Sequence, residues 1–179
     1  MKYLKRKNFQ NVKVWDDKIK PKSKKKSFSK YLDFSDYIIL SPGISLNNAK
    51  LKSKLIKNKK KIITDIDLFY LFNRNIKSIV ITGTNGKSTT CKILEHVLKQ
   101  NKINVKLGGN IGKPILDINL NSNPIVIIEA SSFQLAYSKF IKPDFAAILN
   151  ITKDHLDWHG SMKDYVDSKF KIFSNQNNN

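Results

Sequence analysis

The stretch Ile79–Leu94, IVITGTNGKSTTCKIL, decides the fold. An apolar run ends at Thr82 and Gly83; Gly86, Lys87 and the hydroxyl residues Ser88, Thr89 and Thr90 follow; the pattern then becomes helical. A turn between a strand and a helix is where an α/β protein holds phosphate. Glycines let the backbone bend with its N–H groups inward, and the helix N-terminus adds a partial positive charge. Lys87 has the reach for outer phosphates, and the Ser88 hydroxyl is a ligand type that Mg²⁺ accepts. The common pattern is G-x-x-x-x-G-K-[ST], but Ile81 stands where its first glycine belongs. Gly83 gives a shorter G-x-x-G-K-S instead. The bland alternative is a glycine-rich turn that only caps a helix.

Outward from this stretch the alternation continues. Ser78–Thr82 reads as a strand and Ser88–Asn101 as a helix. INVKLGGNIG, from Ile103, is a strand that runs into a glycine-rich turn, and Pro114–Leu120 reads as helical. PIVIIEASS is a buried strand ending in the carboxylate of Glu129. DFAAILNIT is another, with Thr152, Asp154 and His155 at its tip, and Ser161–Phe173 is a helix. Before the loop, Asn11–Trp15 (NVKVW) alternates like a strand, and Tyr37–Gly43 reads as a buried strand closed by a Pro-Gly turn. Asn48–Asn58 has helical spacing, Lys61–Thr64 is a short strand, and Asp65–Phe72 is a helix with an acidic start. Alternating strands and helices predict an α/β architecture with parallel sheets and flanking helices. The polar break Asn73–Lys77 is the expected boundary, giving units of residues 1–75 and 76–179.

The chain carries a formal net charge of +19, which suits polyanion partners. Yet among 33 basic residues only Arg6 and Arg74 are arginines, and the lysines are spread along the whole chain. That distribution speaks for compositional bias rather than a nucleic-acid surface. Lys18–Lys30, the densest run, reads as a solvated loop. A single cysteine, Cys91, rules out an internal disulfide. No signal-peptide pattern follows the basic start, and the best apolar run is too short for a bilayer. The expectation is a cytoplasmic protein with neither a membrane nor a nucleic acid as partner.

The short loop resembles the T-G-[TS]-N-G-K-[ST] loop of the Mur ligase family of ATP-dependent amide-forming enzymes. LSPGIS (Leu40–Ser45), DIDLF (Asp65–Phe69), GGNIGKPIL (Gly108–Leu116), EASSFQL (Glu129–Leu135) and Leu149–Phe173 carry the same resemblance, in order. Together they are similar to the branch that joins D-glutamate to UDP-N-acetylmuramoyl-L-alanine in peptidoglycan synthesis. The resemblance implies part of a Rossmann-like UDP-sugar-binding domain followed by the front of a P-loop ATPase domain. It implies an acyl phosphate, made with ATP and opened by an amine, two Mg²⁺ ions, and a monomer when complete.

Residue by residue, the resemblance gives Gly83, Thr84, Asn85, Gly86, Lys87, Ser88, Thr89 and Thr90 to the ATP phosphates. Ser88 and Glu129 go to one Mg²⁺; His155 goes to a second, near the substrate. Read alone, His155 is a surface residue, since imidazole is a poor Mg²⁺ ligand. Asn110 and Ser131 match polar contacts to the muramoyl substrate, though a turn asparagine and a helix-capping serine fit them as well. Lys169 occupies the position of a carbamylated lysine, whose added CO₂ turns a cation into an anion for the second Mg²⁺. Lys87, Glu129, His155 and Lys169 thus form the expected catalytic set. The expectation is also that the chain starts after the family's first strand and uridine loop and lacks its C-terminal domain. Another Mur-type amide ligase, or a non-catalytic basic P-loop fragment that binds nucleotide or nucleic acid, is the alternative.

Overall fold

The computed structural model describes residues 2–16, 25–47 and 52–176. Its elements in chain order are α1 (Lys2–Arg6), α2 (Lys25–Phe34), β1 (Ile38–Ile39), α3 (Lys52–Lys57), β2 (Ile62–Ile63), α4 (Asp65–Phe72) and β3 (Ser78–Thr82). Then come α5 (Lys87–Gln100), β4 (Val105–Gly109), β5 (Ile125–Glu129), α6 (Ser132–Ala136), β6 (Phe145–Ile148), α7 (Leu156–His159) and α8 (Met162–Phe170). Short 3₁₀ turns cover Lys59–Lys61, Ile115–Asp117 and Lys171–Phe173. None of the described helices is long and apolar enough to cross a membrane.

There are two parallel sheets. β1 pairs with β2, and a second sheet has the order β4-β5-β3-β6, so β3 sits centrally between β5 and β6. The reason lies in the strand sequences. Val80, Val126, Ile127 and Ile128 are wholly buried, as expected for strands covered on both faces. One core collects Val80, Val126 and Ile128 with Ile66 and Phe69 of α4, Leu135 of α6, and Ile115, Ile141 and Ile172. The other face packs Ile81 and Ile127 with Cys91, and Leu94 and Leu98 of α5 lie against it. Each buried aliphatic side chain is worth ~1.5–3 kcal/mol relative to exposure.

The two sheets are joined through α4. Thr64 caps that helix: its hydroxyl accepts from the Asp67 amide, and the Asp67 carboxylate accepts from the Thr64 amide. The other oxygen of Asp67, which is fully buried, accepts from Ser138 Oγ (2.7 Å) and from the amides of Lys139 (2.8 Å) and Phe140 (2.7 Å). Those donors lie in the segment from α6 to β6. A buried carboxylate thus ties the first sheet to the second.

Several expectations from sequence are corrected. Asn11–Trp15 is not a strand; this segment is irregular and half to fully exposed. Alternation permits a strand without forcing one, and this segment pairs with neither β1 nor β2. Only Ile38–Ile39 of Tyr37–Gly43 is extended in a ladder. Pro114–Leu120 forms no α-helix, only the 3₁₀ turn, because Ile115, Leu116, Ile118 and Leu120 all dock on the core, with extended backbone at Ile118. Lys25–Phe34, partly inside the lysine-rich run read as a loop, is helical; the rest of that run and Asn48–Leu51 lie outside the described residues.

Candidate functional site

Parallel strands in register bring their ends together. Ile81 lies beside Glu129, Gly109 beside Glu129, and Thr82 beside Ile148. The carboxyl edge of the second sheet therefore gathers the loop after β3, the Gly109–Asn110 turn after β4, Glu129 at the end of β5 and the segment after β6. This edge is where ligands bind in open α/β sheets.

The loop itself runs from Gly83 to Gly86 and enters α5 at Lys87. Gly83 has φ +156° and Gly86 φ +81°; the latter is left-handed, a conformation glycine adopts without a Cβ penalty. The first amides of α5 have no carbonyl one turn back, so they face the loop's concavity as donors. Lys87 Nζ folds back to the carbonyl oxygens of Gly83 (2.9 Å) and Thr84 (2.8 Å).

Below the loop lies a buried carboxylate. Glu129 is 1% exposed. Its Oε2 accepts from Ser88 Oγ (2.8 Å) and its Oε1 from Asn110 Nδ2 (3.0 Å). Gly109 makes this approach possible: a Cβ there would lie 2.4 Å from the Glu129 carbonyl oxygen. Ser88 and Glu129 are adjacent oxygen donors of the kind a hard divalent cation takes. Among the described residues no group of three or more His, Cys, Asp and Glu forms a metal cage. An ion held here would therefore draw its remaining ligands from phosphate and water, as Mg²⁺ does.

Lys169 projects from α8 into the same region. It is 1% exposed, donates to Gly83 O (2.8 Å), and its Nζ lies 4.6 Å from the centroid of the Tyr165 ring. Burial, then the charge of Lys87, pulls the ammonium down to about 8, with Asp154 opposing. Tyr165 in turn bonds Thr84 Oγ1 (2.8 Å), which also receives the Thr152 amide (3.0 Å).

His155 precedes α7 as its N-cap at φ +51°, more exposed, with Nε2 3.3 Å from Asp154 Oδ2. Its ring stands 4.7 Å from Phe133 and 6.5 Å from Tyr165, so it and Lys169 flank the same tyrosine. Ser131 caps α6: its hydroxyl receives the Gln134 amide (3.3 Å), and the Gln134 side chain accepts from the Ser131 amide (3.2 Å). The helix-capping reading of Ser131 is thus satisfied in this structure. Cys91 is buried in α5, and burial with the Glu129 charge pushes its thiol up to about 12, far from thiolate chemistry at neutral pH.

Asn150, Tyr165 and Asp67 escaped the sequence reading. Asn150 lies just past the end of β6, at the same sheet edge as Glu129, and that position was the available signal. Tyr165 and Asp67 act through contacts 81 and 71 residues distant along the chain, which no local pattern reveals.

Comparison with known proteins agrees with this geometry. Residues 81–179, more than half of the chain, match the Mur ligase middle domain. A UDP-N-acetylmuramoylalanine–D-glutamate ligase of Rickettsia prowazekii is 45% identical over 138 residues, covering 77% of this chain and 31% of that protein. One of Aquifex aeolicus is 38% identical over 177 residues, covering 98% of this chain and 41% of that protein. The chain thus spans well under half the length of these curated relatives. Among solved structures, a MurF ligase from Thermotoga maritima in complex with ADP is 22% identical, with a TM-score of 0.47 over 80% of this chain and 41% of that one. A phosphate-type loop at a parallel-sheet edge, with the middle-domain match running through it, shows that this chain belongs to the Mur ligase family.

Proposed function

We propose that this chain is the ATP-handling core of an amide-forming ligase that joins D-glutamate to UDP-N-acetylmuramoyl-L-alanine, working in the cytoplasm on peptidoglycan precursors. The observation that carries this reading is the Ser88 hydroxyl 2.8 Å from the buried Glu129 carboxylate, beneath a glycine loop at a helix N-terminus. That arrangement suits a metal-bound triphosphate. The names of the relatives suggest the substrates.

In this reading the reaction passes through an acyl phosphate, made from the substrate carboxylate and the γ-phosphate and opened by the amine. Two anions must approach, so cations and dipoles offset their repulsion. Residues Gly83–Thr90 enclose the phosphates, and the free amides at the start of α5, with the helix N-terminus, donate to them. Lys87 exchanges its two loop carbonyls for the outer phosphate. Ser88 and Glu129 would hold one Mg²⁺, which would supply positive charge against the phosphates. His155 and Lys169 serve a second, the lysine as a carbamate; a protonated amine has no lone pair to give, and burial favours the neutral amine that adds CO₂. Asn110 and Ser131 lie at the rim as substrate contacts. The two separate sheets support a division near residues 75–76 into a UDP-sugar unit and an ATPase unit.

The test is a chimera in which this chain replaces the matching segment of the Aquifex aeolicus relative. Supplied with Mg·ATP, UDP-N-acetylmuramoyl-L-alanine and D-glutamate, it should form the dipeptidyl product, read by mass spectrometry. The Lys87→Ala chimera should form none. Near-normal product from Lys87→Ala would sink the phosphate-loop assignment; product with another amino acid but not D-glutamate would sink the substrate assignment.

A further inference from the structure

Asn150, the second residue after β6, has a bonding pattern that the site roles above do not use. Its side chain binds both polar backbone groups of Asn85: Oδ1 accepts from the Asn85 amide (2.9 Å) and Nδ2 donates to the Asn85 carbonyl (3.1 Å). Its own carbonyl oxygen accepts from the Thr84 amide (2.9 Å). Two residues on, the Thr152 amide donates to Thr84 Oγ1 (3.0 Å). The middle of the phosphate loop is therefore paired to the chain after β6 almost as strand to strand.

Close packing supports the same contact. A Cβ on Gly83 would lie 3.2 Å from Leu149 Cβ and 3.4 Å from the backbone nitrogen and oxygen of Asn150. Gly83 is thus needed as much for the approach of Leu149–Asn150 as for the bend of the loop. This pairing has a directional consequence. The amides of Thr84 and Asn85 are spent on Asn150, so they point away from the anion. The donors left for phosphate are those at the start of α5, and their aim depends on where Asn85 and Gly86 are held. A loop of this length, without that hold, has an entropy cost of about 1–2 kcal/mol per residue to fix on binding.

We infer that Asn150 is a positioning residue of the phosphate loop: it clamps Asn85 so that the α5 amides and Lys87 meet the triphosphate already arranged. The inference rests on the reading of this loop as the ATP site. Its chemistry requires an amide side chain, because one oxygen acceptor and one N–H donor must face one peptide unit. Aspartate keeps the acceptor for the Asn85 amide. It sets a second oxygen against the Asn85 carbonyl and adds a negative charge beside the phosphates.

The experiment titrates Mg·ATP into the 179-residue chain and its Asn150→Ala and Asn150→Asp variants by calorimetry, with amide hydrogen exchange on the free and nucleotide-saturated forms. Asn150→Ala is expected to bind roughly tenfold more weakly, the scale of one to two lost hydrogen bonds. Asn150→Asp should bind more weakly still, and its extra deficit should shrink as salt is raised. In the free Asn150→Ala chain, exchange should speed up at residues 84–88 and stay unchanged in β3 and β5; saturation with nucleotide should restore protection. A purely structural role would instead raise exchange across the sheet. If the unsubstituted chain binds Mg·ATP and Asn150→Ala binds it equally, the clamp is overturned while the site reading stands. If the unsubstituted chain and both variants show no Mg·ATP binding, the site reading falls and takes this inference with it.

Discussion

Lys87 and Lys169 donate to the same carbonyl oxygen, that of Gly83, at 2.9 and 2.8 Å. Two ammonium groups that share one acceptor repel each other, and Lys169, the more deeply placed, responds: burial first and Lys87 second hold it to about 8. The neutral amine, the form that reacts with CO₂, is thus accessible near physiological pH, whereas an ordinary surface lysine stays protonated. With ¹³C-bicarbonate, a carbamate resonance should grow as pH rises through about 8 and vanish in Lys169→Ala. In the Aquifex chimera, Lys169→Ala should lose ligase activity and regain part of it with acetate, which supplies the missing oxygens. Lys171→Ala should keep its activity, because Lys171 Nζ turns away to the Ala136 carbonyl. A dead Lys171→Ala beside a normal Lys169→Ala would show that the wrong lysine was chosen.

Glu129→Gln separates charge from shape. Both carboxylate oxygens are bonded, one to Ser88 and one to Asn110. Glutamine presents an oxygen to Asn110 and an N–H to the serine oxygen, so unfolding free energy should change by less than about 1 kcal/mol. The anionic ligand for Mg²⁺ is gone, so turnover of the chimera should fall by about a hundredfold or more, with UDP-substrate affinity little changed. A variant whose only defect is sugar affinity contradicts the metal role.

The second sheet was legible because its strands are continuous aliphatic runs between turn residues, and the loop was legible because Gly83, Gly86 and Lys87 have few other reasons to occur at that spacing. Glu129 was legible as the polar end of such a run. The first half was harder. Its strands are two residues long, Ile38–Ile39 and Ile62–Ile63, too short for periodicity to mark their ends. NVKVW has the alternation of a strand but forms no ladder with β1 or β2, so alternation alone misled. Asn150 was hidden for a different reason: an asparagine near a turn is common, and only the fold reveals that its amide faces Asn85.

Asp67 should matter to stability more than its place on a short helix suggests. Asp67→Asn keeps one oxygen for Ser138, Lys139 and Phe140 but turns an N–H toward the Thr64 amide, donor against donor. A buried group left without its partner costs ~1–3 kcal/mol, and the charge assistance to the remaining bonds is lost as well. The expected loss is about 2–4 kcal/mol, seen as a lower urea midpoint with an unchanged slope. A midpoint within error of the unsubstituted chain would mean that the two sheets do not depend on this carboxylate.

His159 gives the chain an acid-sensitive joint. It is 6% exposed, its Nε2 lies 3.0 Å from Ser132 Oγ, and its ring stacks on Phe133 at 5.7 Å. Burial, with the charges of His155 and Lys169, pushes the imidazole down to about 4. Because the folded value lies below the ordinary 6.5, the unfolded chain takes up a proton first. Stability is therefore full above about pH 6.5 and is lost as pH falls toward 4. A shift of this size corresponds to about 3 kcal/mol at its limit. Glutamine at this position does not titrate and can still bond Ser132. Between pH 7 and 4.5, the fall in urea-unfolding free energy should be about 2 kcal/mol smaller in His159→Gln than in the unsubstituted chain. Carboxylates that lose their partners at low pH contribute equally to both chains and cancel in the difference. If the two chains lose stability in parallel, His159 is not held neutral by its surroundings, and the acid sensitivity of this joint belongs to another group.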